Sequence, residues 1–165
     1  MKKILIISTG GTFNKVYNPV NGELQIDKTS SAIKEIAHKW LCELEVVHII
    51  GKDSLEMTNT DRKLLFDTIK QSSHSHIIVV HGTDTMEISA KYIADSTLEQ
   101  TVIFTGAMIP YSIDPTEATS NLCSAYGYLQ GLDTKGIYIA MNGVLGKYDV
   151  IKKNHIKGRF EISTK

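Results

Sequence analysis

The sequence predicts an α/β domain of three layers, a mainly parallel sheet with helices on both faces. Short β-branched runs without polar–apolar alternation recur along the chain, as in strands buried on both sides. Amphipathic helical patterns fill the gaps between them, and strand–helix–strand alternation implies right-handed crossovers. No internal repeat, linker or low-complexity run interrupts the 165 residues. One domain over residues 1–165 is therefore expected.

The elements follow in order. Ile4 to Ser8 is the first strand run, and it stops at Gly10-Gly11 between Thr9 and Thr12. Two residues without a Cβ let the backbone approach something closely. The next stretch, FNKVYNPVNGELQID, breaks the rhythm. Its Asn21-Gly22 pair is a hairpin signal between Val16-Tyr17 and Leu24–Ile26, and an insertion at this point reads as a lid. Ser30 or Ser31 then caps a helix carrying Ile33, Ile36 and Ala37, before a second strand at Glu45–Ile50. Thr58 or Asn59 caps a helix carrying Leu64, Leu65 and Ile69, before a third strand at His76–His81. Met86, Ala90, Ile93 and Ala94 mark a helix after Asp84, and Val102–Thr105 is the fourth strand. Ala118, Leu122, Ala125, Tyr126 and Leu129 mark the helix after Thr116, and Ile137–Met141 is the fifth strand. From Asn142 onward the chain is turn-rich and ends without a further helix.

Composition narrows the function classes. Lys+Arg and Asp+Glu are both 18, so the formal net charge is zero. Nucleic acid and anionic membranes select basic patches, so neither is the expected partner. Cys42 and Cys123 lie far apart without metal-ligand spacing, and both read as core residues of a reduced compartment. The apolar run after Lys2-Lys3 ends at Ser8, too short for a secretory signal, and nothing is long enough to span a membrane. The expectation is a cytoplasmic protein.

In open parallel sheets, ligands bind beyond the carboxyl ends of the strands. Four stretches there are unusual: STGGT, GKDSLEMT, HGTDTME and TGAMIP. They hold Thr9, Thr12, Ser54, Thr83, Asp84, Thr85 and Thr105, with few basic residues. Neither a P-loop nor a G-x-G-x-x-G pattern is present, so a small polar ligand fits better than a phosphate. Each feature also has a plain structural reading. Asp84 with Glu87 resembles a capping box, Gly82 permits a turn, and Thr12 is a loop hydroxyl. His74 and His76 share a strand face but lack a third metal ligand, and His81 reads as a packed strand-end residue.

Together, ISTGGTF, HGTDTMEISA and FTGAMIPYS resemble in order and spacing the signatures of the bacterial-type L-asparaginases, including the glutaminase-asparaginases. The resemblance runs from Lys3 to Lys153, over the family's larger N-terminal domain, and the smaller C-terminal domain has no counterpart. It implies a Rossmann/flavodoxin-like sheet and hydrolysis of a side-chain amide, of asparagine or a related small molecule, to acid and ammonia. It implies no cofactor and no metal. Thr12 matches the threonine nucleophile on a flexible loop, and Tyr17 the lid tyrosine that helps activate it. Thr83 and Asp84 match the second threonine and its aspartate, and Lys152 in YDVIKKN matches their lysine. Ser54 matches the serine that holds the substrate α-carboxylate, and the backbone oxygen of Ala107 lies where the side-chain amide binds. A lysine held neutral can take a proton from a threonine hydroxyl, and amides near Gly11 and Gly82-Thr83 can hold an oxyanion. Ile109 stands where many relatives carry arginine, and the IDPTEATSN stretch brings in Glu117. A neighbouring subunit's C-terminal domain normally supplies an acid for the α-amino group, so a homo-oligomer is expected to bring Glu23 or another acid to the site. A binding or regulatory module for aspartate or asparagine, and one half of a split enzyme, are the alternatives.

Overall fold

A computed structural model describes residues 2–40 and 43–163. Strands β1 (Ile4–Gly10), β4 (Glu45–Lys52), β5 (His76–Val80), β6 (Thr101–Thr105), β7 (Gly136–Met141) and β8 (Val144–Lys147) form one sheet in the order β4-β1-β5-β6-β7-β8. The first five pair in parallel, and β8 returns antiparallel to β7 with Met141 opposite Val144. Between β1 and β4, β2 (Lys15–Asn18) and β3 (Glu23–Ile26) make the expected hairpin.

Alternate residues of each strand serve opposite faces, which is why the runs show no polar alternation. Ile4, Ile6, Ile78, Val80 and Ile103 pack with Ile33 and Ile36 of α1 (Ser31–Lys39) and Leu122 and Leu129 of α4 (Pro115–Gly131). Leu5, Ile7, Ile77, Val79 and Phe104 pack with Leu65 and Ile69 of α2 (Asn59–Gln71) and Met86 and Ile93 of α3 (Met86–Ala94). The three layers are thus as the sequence predicts.

The helix starts differ in detail. Thr58 caps α2 in a capping box with Asp61, and Asp114 caps α4 with Pro115 at its first position. Ser30 stands before α1 in left-handed geometry and makes no cap bond. Asp27 replaces it by accepting the Ser31 N–H at 2.8 Å. The Asp84–Glu87 box does not form either: Thr85 occupies the cap position of α3, without a side-chain bond. Glu87 is used elsewhere.

The segment after Asn142 is more ordered than its turn-rich sequence implies. Beyond β8, β9 (Ile151–Asn154) and β10 (Arg159–Ile162) form an antiparallel pair. Ile151 and Phe160 pin it to the core face that carries α2 and α3. These strands are short and rich in charged residues, so no apolar run announces them. Cys42 lies outside the described residues, and Cys123 is half-buried on α4 rather than in the core. Among the described residues, no helix is long and apolar enough to cross a membrane.

Candidate functional site

The carboxyl ends of β1, β4, β5 and β6 converge through glycine. Gly11 sits at φ 75°, and its N–H donates to Lys52 O at 2.9 Å. A Cβ on Gly11 would lie 2.5 Å from Gly82 N, and one on Gly82 would lie 2.7 Å from Ser54 Cβ. Three loops therefore touch backbone to backbone, with no room for a side chain between them. Thr12 and Thr83 each follow one of the two touching glycines, while Gly10, at φ 111°, makes room for the Lys52 backbone.

Each loop is anchored from behind. Fully buried Phe13 and the Asn14 amide, which donates to Gly10 O at 3.0 Å and Ser8 Oγ at 3.3 Å, hold the short 3-10 turn that Thr12 opens. The ion pair of Lys15 with Asp53, 2.7 Å, ties this turn to the loop carrying Ser54. Burial pushes the Asp53 carboxyl up, but the Lys15 ammonium and the Leu55 N–H outweigh it and hold it below the usual range. Ser54 is buried, accepts the Thr85 N–H at 3.3 Å on its hydroxyl, and keeps its own O–H to donate. The loop around fully buried Ala107 is held by Asn121, which donates to Gly106 O at 2.9 Å. Glu117 completes it by accepting the Met108 and Ile109 N–H groups, each at 3.0 Å. In the sequence Glu117 is a departure from the family pattern that bears on the subunit interface and loop stability, and the bonds it makes eight and nine residues back stabilise this loop.

A hydroxyl, an amine and a carboxylate meet at the end of β5. Lys153 Nζ donates to Thr83 Oγ1 at 2.8 Å and to Asp84 Oδ1 at 2.6 Å. Its side chain is 10% exposed. Lys152, the lysine expected from the sequence, points away and pairs with Glu87 Oε2 at 3.1 Å, 42% exposed. The pleat of β9 sends adjacent side chains to opposite faces, so only one of the two lysines can reach Thr83. Tyr17 is 61% exposed on β2, and its hydroxyl has no hydrogen-bond partner among the described residues. The structure thus groups Thr83, Asp84 and Lys153 beside the Gly11–Gly82 contact, with Thr12 and Ser54 on the adjoining loops. It does not bond Tyr17 or Lys152 to them. A hydroxyl, an amine and a carboxylate in this chain can pass a proton without a metal ion.

His81 supports the site from below. Its Nδ1–H donates to Gly82 O at 2.7 Å, its ring packs edge-on against Phe104, and Nε2 is buried without a partner. Burial pushes the imidazole down to about 4. Below pH 6.5 the unfolded chain takes up a proton that the folded ring refuses until about pH 4. The resulting stability is full above pH 6.5 and is lost as pH falls through that window, by about 3 kcal/mol. Thermal melts from pH 7 to pH 4 should show this slope, and His81→Gln should flatten it; an equal slope in that variant would assign the loss to other groups.

A family model described as Asparaginase, N-terminal, matches residues 3–161. The chain is 31% identical to a probable periplasmic L-asparaginase of Haemophilus influenzae, over 92% of this chain and 46% of that protein. Its fold is similar to the thermostable L-asparaginase from Thermococcus kodakarensis, with TM-score 0.85 and 22% identity over 97% of this chain and 51% of that one. It is also similar to a probable cytoplasmic L-asparaginase from Campylobacter jejuni, with TM-score 0.79 and 24% identity over 94% and 50%. The chain spans about half the length of each of these relatives.

Proposed function

The chain belongs to the asparaginase family, and on that footing we propose that its site hydrolyses the side-chain amide of L-asparagine or a related small amide. The observation that carries this reading is Lys153 Nζ bonded to both Thr83 Oγ1 and Asp84 Oδ1 beside the Gly11–Gly82 contact. A pocket for binding alone has little use for that amine. Thr12 Oγ attacks the amide carbon, and its proton passes through Thr83 and Lys153 towards the departing ammonia. Amides of the Gly11 and Gly82 loops hold the oxyanion while the charge develops. Water then cleaves the threonyl ester and releases the acid. Ser54 donates to the α-carboxylate, and the Ala107 carbonyl receives the side-chain amide. No cofactor is needed for these steps.

Asp84 is the acceptor within this chain for the substrate ammonium. One of its oxygens is already on Lys153, so self-association that brings in Glu23 or another acid is part of the proposal. Leu55 and Ile109 are exposed on loops that carry the site, and Tyr17 is exposed on β2, as an interface requires. A cytoplasmic location is also part of it, with cell fractionation as its test. Ammonia release by the purified protein across several small amides tests the reaction. Calorimetric titration tests recognition: aspartate should bind over succinate by less than the roughly ten- to hundredfold that a charge-assisted bond supplies, unless the protein is oligomeric. No ammonia from any amide, with tight aspartate binding, would leave a binding module instead.

A further inference from the structure

Glu87 has no part in the steps above, yet both of its carboxylate oxygens are bonded to one strand. Oε1 accepts the backbone N–H of Lys153 at 2.6 Å, and Oε2 pairs with the ammonium of Lys152 at 3.1 Å. β9 has one strand partner among the described residues, β10, with Phe160 opposite Lys153 and Glu161 opposite Lys152. The Lys153 N–H is thus held by a side chain of α3. Buried Ile151 and Phe160 set which face of the β9–β10 pair meets the core, and Glu87 adds a hydrogen-bonded tie at Lys153 itself. A slip of one residue would turn Lys153 outward and present its neighbour to Thr83.

We propose that Glu87 is a positioning residue, a clamp on β9 that seats Lys153 beside Thr83 and Asp84. The proposal rests on the amidase reading of the same site. Its plainer rival is that Glu87 only places negative charge in the first turn of α3, where the helix dipole favours it. The two differ in what a neutral acceptor does. Glu87→Gln keeps an oxygen for the Lys153 N–H but loses the charge, whereas Glu87→Ala loses both.

The test uses protein labelled with 13C at lysine Cε, with the Lys153 signal assigned through Lys153→Met. In Glu87→Ala the Lys153 signal should move towards those of exposed lysines, while in Glu87→Gln it should stay near its wild-type position. Ammonia release should follow: kcat down by roughly ten- to hundredfold in Glu87→Ala with KM little changed, since a shift of about 1 Å can cost that much, and mostly retained in Glu87→Gln. An unmoved Lys153 signal in Glu87→Ala, or equal effects of the two variants, would overturn the clamp. Should the wild-type protein release no ammonia, the amidase reading has failed, and the lysine signal by itself decides the clamp.

Discussion

Thr12→Ala should lower amide hydrolysis by roughly three orders of magnitude or more while leaving the fold intact, because in the proposed mechanism it removes the atom that forms the covalent bond. The stability side rests on how the loop is held. Phe13 fills the core, Asn14 bonds Gly10 and Ser8, and Gly11 bonds Lys52. The Thr12 hydroxyl contributes to none of these anchors. Loss of a half-buried loop hydroxyl should therefore shift stability by no more than about 1 kcal/mol. Ammonia release and a thermal melt on the same preparation separate the two effects. Thr12→Ser, which keeps the hydroxyl, should retain measurable turnover. If Thr12→Ala turns over near the wild-type rate, the nucleophile is another group, with Thr83 the next to test.

The sheet and its helices are legible because burial on both faces forces continuous β-branched runs, and Ile4–Ser8 and His76–His81 are too short for helices and run into glycine. The crowding of glycine and hydroxyls at the carboxyl ends of those strands is legible too, because it falls where open parallel sheets bind ligands. What escapes depends on which partner each side chain finds in the fold, near or far in sequence. Asp84 and Glu87 have capping-box spacing, yet Glu87 is taken by β9, some 66 residues on. Asp27, four residues before Ser31, displaces Ser30 as the cap of α1. Glu117 holds the Ala107 loop from α4, and only the fold brings the two together. The same limit explains the lysine. In YDVIKKN both residues satisfy the chemistry, and strand parity decides between them, but β9 and β10 are too short and polar to announce their register.

Lys153→Met should abolish turnover, whereas Lys152→Met should leave it within a few-fold of wild type. Lys153 is 10% exposed and, among the described residues, is the one of the two lysines hydrogen-bonded to Thr83 and Asp84. Methionine fills a similar space, so the β9–β10 pair can persist while the amine is lost. Without it, the Thr83 hydroxyl has no basic partner, and Asp84 faces the site uncompensated. General acid–base work alone contributes roughly a hundred- to ten-thousandfold, so the loss should reach at least that range. Lys152 contributes a partly exposed ion pair to Glu87, worth about 0–1 kcal/mol. Its removal leaves the Lys153 N–H bonded to Glu87. Aspartate binding by calorimetry should survive in both variants, because Ser54 remains in place to hold the α-carboxylate. The opposite ranking, with Lys152→Met inactive and Lys153→Met active, would mean that β9 works in the alternative register, with Lys152 turned to Thr83.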